Sequence, residues 1–355
     1  MHTFLVSLIV ILIKNIHTQG IIGNPCTLNS SNSSGLCQPL TQCREIRDEV
    51  VFGQKLPQTC GFQETQAVVC CPKPRRPGYI SQRKCREYAS YTKEKQLCGH
   101  NIAKRMAEGR PVGRNEFPHM ALLGLRTWEP STLRWLCGGS LISEGYILTA
   151  AHCLITKTFD EPNLVFIGVT NLNDIDDRQE FKIANNIVHP EYSPSSNYHD
   201  IGLIQLWTPI KFNSFVRPAC LNPNFHIPVA KVVATEWNRT ENTENSSEDL
   251  LKVTLDIADY ELCNNSYPAT SRLKNGIIND MHLCTRSGNA QNSTCQGEGG
   301  GPLQIYSKNN PTRCVYDIVG VASFGKGCGG GPAVNTRVSH YIKWIEDIVW
   351  PDNNQ

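Results

Sequence analysis

Hydrophobic residues form one apolar run at the start of the chain and only short runs thereafter. The first run covers residues 4–13 and is followed by a polar stretch at residues 14–19. A membrane-spanning helix needs about 20 apolar residues, so this shorter run is better suited to a secretory signal peptide. We therefore expect residues 1–20 to be removed on secretion, with an uncleaved N-terminal anchor as the alternative.

Short apolar runs after residue 106 predict β-strands. Residues 146–148, 164–167 and 201–206 are such runs, and Gly, Pro and Asn separate them. This spacing is typical of many-stranded β folds. Near the end of the chain, apolar residues recur at helical spacing before Pro351, at Tyr341, Ile342, Ile345, Ile348 and Val349. The pattern predicts a mostly β fold with a C-terminal helix.

Length, charge and cysteine content restrict the class of protein. A chain of 355 residues favours more than one domain. The net charge of +2 and the absence of a basic tract argue against a nucleic-acid partner. All sixteen cysteines follow the first apolar run, which fits complete pairing in an oxidising compartment. We expect a secreted, extracellular protein that has no membrane partner.

Six of the cysteines lie close together between residues 26 and 71, ending in a Cys-Cys pair. So short a segment buries too little apolar area to be stable without disulfides. Six cysteines allow fifteen connectivities, and spacing alone does not choose among them. The spacing lacks two Cys-x-x-Cys pairs of the kind that bind zinc, so we predict no metal and no cofactor. Residues 73–105, rich in Pro, Lys and Arg, read as an exposed linker.

Three motifs further along the chain resemble those of trypsin-like serine proteases. They are Leu-Thr-Ala-Ala-His-Cys at 148–153, His-Asp-Ile-Gly-Leu-Ile at 199–204, and Cys-Gln-Gly-Glu-Gly-Gly-Gly-Pro-Leu at 295–303. The resemblance extends over residues 106–350 and implies two packed antiparallel β-barrels. It also places His152 and Asp200 at the triad positions, where an aspartate orients the catalytic imidazole.

The third motif departs from the family at the nucleophile. Gly299 stands where the family has its serine, so that position has no hydroxyl to form an acyl-enzyme. Gly297 keeps the position of an oxyanion-hole amide. The resemblance also implies zymogen cleavage between Arg105 and Met106, after which the new amine pairs with the carboxylate at Glu298. The alternative is a basic loop that is never cut.

The resemblance implies five positions around the substrate pocket. Ser293 takes the place at the pocket base, and Ala333 stands where the family usually has a glycine that keeps the pocket open. Ser323, Phe324 and Gly325 match the segment that lines the cleft, with Phe324 in place of tryptophan. We therefore expect a pocket that is narrower than in the family.

The cysteine-rich segment, residues 24–72, resembles the clip domain of arthropod haemolymph proteases, in the group to which Snake belongs. The resemblance implies the pairs Cys26–Cys70, Cys37–Cys60 and Cys43–Cys71 in the small domain, and Cys137–Cys153, Cys263–Cys284, Cys295–Cys328 and Cys98–Cys220 elsewhere. Cys85 and Cys314 then remain and are paired with each other. Six Asn-x-Ser/Thr triplets are candidate glycosylation sites, at Asn29, Asn32, Asn238, Asn245, Asn264 and Asn292.

Together these features predict a secreted, non-catalytic clip-domain serine protease homologue. Its expected partners are clip-domain proteases or zymogens of a haemolymph cascade, including prophenoloxidase, in melanisation or Toll-type immunity. It would be a cofactor of that cascade or, in the manner of a venom or regulatory protein that acts as a decoy, its antagonist. Two alternatives belong to other classes: a protein that recognises microbial surfaces or carbohydrates, and a residual hydrolase in which His152 and Asp200 activate water.

Overall fold

The computed structural model describes residues 21–29, 33–43, 46–47, 57–72, 76–90, 110–113, 116–127, 132–155, 161–173, 178–213, 215–237, 248–287, 299–307, 315–326 and 331–351. The chain divides into two compact units, residues 1–76 and residues 77–355. Among the described helices, none has the length and apolar character needed to cross a membrane.

The smaller unit is a four-stranded antiparallel sheet with the strand order β1-β2-β4-β3. Its strands are β1 (Pro25–Leu28), β2 (Ser33–Pro39), β3 (Thr59–Gln63) and β4 (Gln66–Pro72). Disulfides join Cys26 to Cys70, Cys37 to Cys60, and Cys43 to Cys71. These are the pairs that the resemblance implied, and they offset the small apolar area that so few residues bury.

In the larger unit a helix, Tyr79–Ser90, precedes a short strand, β5 (Arg110–Pro111). A closed antiparallel barrel with the order β10-β11-β8-β7-β6-β9 follows. The strands of this first barrel are β6 (Met120–Arg126), β7 (Leu133–Ser143), β8 (Tyr146–Thr149), β9 (Leu164–Ile167), β10 (Gln179–Val188) and β11 (Gly202–Leu206). The runs at 146–148, 164–167 and 201–206 therefore form β8, β9 and β11, as predicted.

A second barrel follows, closed by pairing between its first and last strands in the order β17-β16-β13-β14-β15-β18. Its strands are β13 (Lys231–Trp237), β14 (Leu250–Ile257), β15 (His282–Ser287), β16 (Pro302–Tyr306), β17 (Tyr316–Phe324) and β18 (Ala333–Arg337). A short strand, β12 (Cys220–Leu221), runs parallel to β17, and β5 pairs with β14. The double-barrel architecture confirms the fold predicted from the sequence.

The described part of the larger unit contains three α-helices: α1 (Tyr79–Ser90), α2 (Tyr260–Ser266) and α3 (Val338–Val349). The predicted C-terminal helix is α3, which ends just before Pro351. Its apolar residues Tyr341, Ile342 and Ile345 are buried in an apolar cluster that includes residues of the first barrel, of β12 and of β17. This packing explains the helical periodicity at the end of the sequence, because only one face of α3 meets the core.

Helix α1 is fastened to the protease-like unit by its first turn and by a disulfide. The buried carboxylate of Glu346 accepts hydrogen bonds from the N–H groups of Gly78 (3.0 Å) and Ser81 (2.7 Å). The Tyr88 hydroxyl donates to Glu144 (3.0 Å) at the other end of α1. These contacts satisfy backbone donors that a helix N-terminus leaves without partners.

The docking of α1 corrects two predicted disulfides. Cys85, in the middle of α1, is bonded to Cys220, with the two Cα atoms 5.1 Å apart. The predicted pairs Cys85–Cys314 and Cys98–Cys220 are therefore wrong, because a cysteine forms one bond and α1 brings Cys85 to β12. Cys98 and Cys314 lie outside the described residues.

Candidate active site

His152 lies in a single 3-10 turn, Ala151–Cys153, that directly follows β8. The disulfide Cys137–Cys153 ties this turn to β7. The imidazole Nδ1 lies 2.7 Å from Oδ2 of Asp200, and the main-chain N–H of His152 donates to Oδ1 of the same carboxylate at 2.9 Å. Two hydrogen bonds to one carboxylate fix the ring orientation.

Asp200 is buried and is held from three sides. Besides the two bonds from His152, its Oδ2 accepts a hydrogen bond from the Ser323 hydroxyl at 2.5 Å. The Thr336 hydroxyl donates to the main-chain carbonyl of Asp200 at 2.7 Å. Sequence reasoning placed Ser323 only in the cleft lining. Its contact with Asp200 spans 123 residues of chain, and no local motif announces it.

The charges of this pair favour an ionised Asp200. Burial would raise the pKa of Asp200, but the hydrogen bonds from His152 and Ser323 and the imidazole charge outweigh it and lower that pKa. Burial likewise lowers the pKa of His152, but the hydrogen bond and the charge of Asp200 together raise it above its ordinary value. The carboxylate is thus poised to stabilise a protonated imidazole, which is the role of the triad aspartate.

Gly299 lies directly against the imidazole of His152. A Cβ atom at position 299 would come within 2.5 Å of Cε1 of His152, and closer still to Nε2. Carbon atoms normally approach to about 3.5 Å, so the ring occupies space that any larger residue at 299 would need. The carbonyl of Gly299 accepts a hydrogen bond from the N–H of Gly138 at 3.1 Å. This hydrogen bond anchors the loop at Gly299 to β7.

The next residue shows why this loop keeps a glycine beside Gly299. Gly300 has φ of +82°, a left-handed conformation that other residues rarely adopt. A Cβ there would collide with the hydroxyl of Thr149 and would lie 2.7 Å from the carbonyl of Gly138. The glycine at 300 is therefore required by the fold, whereas no positive φ requires a glycine at 299.

A pocket opens beside His152 and Gly299, and the predicted cleft residues line it. They are Ser323, Phe324, Gly325 and Ala333. Phe324 packs edge-on against Tyr267, with ring centroids 5.5 Å apart, and the Tyr267 hydroxyl donates to the carbonyl of Pro332 at 2.6 Å. Glu236, Arg286 and Lys326 bring charge of both signs to the wall. The pocket suits a mixed polar and apolar partner segment.

Several predicted site residues lie outside the described part of the chain. They are Arg105, Met106, Ser293, Gly297 and Glu298, together with the pair Cys295–Cys328 and the acceptors Asn32, Asn238, Asn245 and Asn292. The remaining acceptors, Asn29 and Asn264, are described and exposed. Cys263 and Cys284 are bonded to each other, as the resemblance implied.

Comparison with known proteins agrees with the geometry of the site. A family model described as Trypsin matches residues 106–345. Serine protease snk of Drosophila melanogaster is 35% identical over 345 residues, covering 92% of this chain and 78% of the relative. Phenoloxidase-activating factor 3 of Holotrichia diomphalia is 30% identical over 362 residues, covering 95% and 96%.

CLIP domain-containing serine protease B4 of Anopheles gambiae is 29% identical over 359 residues, covering 93% of each chain. These matches extend across both units of the chain and include the motifs that carry His152 and Asp200. The chain therefore belongs to the trypsin family and, within it, to the clip-domain group represented by these arthropod relatives.

Proposed function

We propose that this protein is a secreted, non-catalytic clip-domain serine protease homologue that acts by binding other proteins. Its partners would be proteases or zymogens of an extracellular cascade, and it would act as a cofactor or an antagonist there. The signal peptide at residues 1–20 and the clip domain at residues 24–72 belong to this proposal. So does the protease-like domain at residues 106–350, which would supply the binding surface.

The observation that carries the proposal is the position of His152 over Gly299. Without a nucleophile, peptide cleavage loses the covalent step that divides its barrier in two. Removing the serine costs about 10⁶ in turnover in the best-studied member of another serine protease family. Water activated by His152 and Asp200 is a poor substitute, because it is not held in place covalently. A cascade step at one event per second would slow to one in about ten days at that loss.

The other features of the fold support binding. The described strands form both barrels, and a pocket opens beside Gly299, which supports a surface that a partner could meet. We further propose cleavage between Arg105 and Met106. Cys85 precedes that bond in the chain and Cys220 follows it. Their disulfide would therefore keep the two cleavage products joined.

The names of the relatives support the type of cascade. Phenoloxidase-activating factor 3, phenoloxidase-activating enzyme 1 of Spodoptera litura and Spaetzle-processing enzyme of Drosophila melanogaster all align with about 90% or more of this chain. We therefore place the protein in melanisation or in Toll-type signalling, through partners that include prophenoloxidase-activating proteases.

The test uses the purified secreted protein with a trypsin-like activator. Terminal sequencing first establishes whether the new N-terminus is Met106. The cut protein is then added to a reconstituted prophenoloxidase cascade and, separately, to peptide substrates. We expect altered phenoloxidase output without peptide hydrolysis. Hydrolysis would overturn the non-catalytic assignment, and an unchanged output would overturn the assignment to melanisation and direct the search to microbial surfaces.

A further inference from the structure

The described residues contain four groups of side chains whose metal-ligating atoms lie close together. Three of these groups include cysteines that are bonded in disulfides and have no thiolate to offer a metal. The fourth consists of His189, Glu191 and His199, whose donor atoms all lie within 4.8 Å of one another. The sequence predicted no metal site, because the fold rather than a spacing motif brings these three together.

The backbone holds the two histidines in place. His189 follows the end of β10, and its N–H donates to the carbonyl of Ile201 at 3.1 Å. His199 precedes Asp200 and has φ of +55°, a conformation that is uncommon for a residue other than glycine. Its imidazole stacks on that of His189, with centroids 4.9 Å apart and an angle of 7°. Strain of this kind is often retained where it positions a functional side chain.

One pair of the donor atoms lies close enough to share a cation. Nε2 of His199 lies 3.2 Å from Oε2 of Glu191. In a tetrahedral zinc site, bonds of about 2.0–2.1 Å place donor atoms about 3.3 Å apart, so this pair already has the required separation. Nδ1 of His189 accepts a hydrogen bond from the Glu191 N–H at 3.3 Å, so zinc would have to displace that donor from the lone pair.

An outer partner fixes the His199 ring. Its Nδ1 lies 3.3 Å from the hydroxyl of Tyr341 on α3. When Nδ1 donates to that oxygen, Nε2 is left as the lone-pair nitrogen that faces Glu191. Metal-bound histidines almost always have such a partner on the second ring nitrogen. The Glu191 side chain is 69% exposed, so it can make the small movement that completes the site.

We propose that His189, Glu191 and His199 form a zinc site beside the triad aspartate. Two imidazoles and one carboxylate suit zinc, which takes nitrogen and oxygen ligands and leaves a fourth position for water or for a partner's side chain. The site belongs to the protease-like unit and does not depend on the proposed lack of catalysis.

The test is isothermal titration of the full secreted protein, freed of metal with a chelator, with zinc chloride. Variants Glu191→Gln and His199→Asn are compared with His226→Asn, a substitution of an exposed histidine elsewhere in the same unit. We expect the unaltered protein and His226→Asn to bind one zinc ion, and the two cluster variants to bind at least tenfold more weakly. Tyr341→Phe should weaken binding less than loss of a ligand.

Unfolding midpoints distinguish a variant that has lost the zinc site from a variant that has failed to fold. Glu191 is exposed, so Glu191→Gln should leave the unfolding midpoint in chelator unchanged, whereas zinc should raise the midpoint of the unaltered protein only. The proposal is overturned if the unaltered protein binds no zinc, which would leave the Glu191–His199 contact as an ion pair. It is equally overturned if Glu191→Gln binds zinc as tightly as His226→Asn does.

Discussion

A side chain placed at residue 299 tests the most unusual contact of the site. In Gly299→Ser and Gly299→Ala, the new Cβ would meet Cε1 of His152 at 2.5 Å, about 1 Å inside normal contact. The ring must therefore move by about that distance. It is held by the 2.7 Å bond to Asp200, and breaking a hydrogen bond to a buried charge costs roughly 1.5–3 kcal/mol. We expect both variants to lose about 1–3 kcal/mol of unfolding free energy.

The assay is a double-mutant cycle in denaturant, in which Gly299→Ala is made with and without His152→Ala. When the imidazole is absent, the alanine at 299 has room, so its cost should fall by at least about 1 kcal/mol. If that cost is the same in both backgrounds, His152 does not occupy the space beside Gly299 and the reasoning fails. Gly299→Ser should also hydrolyse peptides poorly, since a displaced imidazole cannot accept the hydroxyl proton.

Two further predictions concern stability. Glu346→Ala should lower the unfolding free energy by about 2–3 kcal/mol, because it removes two hydrogen bonds to the first turn of α1. Hydrogen exchange in α1 should become faster. The control Asp347→Asn loses only an exposed ion pair and should lower the unfolding free energy by less than about 0.5 kcal/mol. Burial lowers the pKa of His119 to about 3 and that of His282 to about 4, so the unfolded chain gains protons first as pH falls. Each histidine should therefore lower the unfolding free energy by about 1.4 kcal/mol for every pH unit between its ordinary pKa of 6.5 and its folded pKa. His119→Gln should flatten this dependence of the unfolding free energy on pH.

Each of the two stability predictions has an outcome that would contradict it. Equal losses in Glu346→Ala and Asp347→Asn would mean that the buried carboxylate does not hold α1. An unchanged slope of unfolding free energy against pH in His119→Gln, measured between about pH 6 and pH 4, would mean that this imidazole takes up its proton equally in both states.

Local sequence patterns were sufficient for several strands and for α3, whereas the two barrels and the roles of His152 and Asp200 came from the resemblance to trypsin-like proteases. Strands β8 and β9 follow from short apolar runs between turn residues, and α3 follows from one apolar face. His152 and Asp200 were found because each sits in a run of residues that fixes its backbone in this family. In such cases the information that determines the structure lies within a few residues of the site.

Long-range contacts could not be predicted in the same way. The disulfide of Cys85 was assigned to the wrong partner because the docking of α1 depends on Glu346, which lies some 260 residues away. The grouping of His189 with His199 depends on a left-handed backbone at His199, which no pattern of side chains indicates. The overlap between His152 and position 299 is likewise visible only in three dimensions.

The central claim is that the protein acts by binding and not by cutting, and His152→Ala tests it most directly. The change removes the base that any residual hydrolysis would need, while the imidazole is a third exposed and contributes little to the core. Purified His152→Ala and unaltered protein are compared for their effect on phenoloxidase output in the reconstituted cascade. We predict equal effects, and loss of the effect in a folded His152→Ala variant would contradict the account.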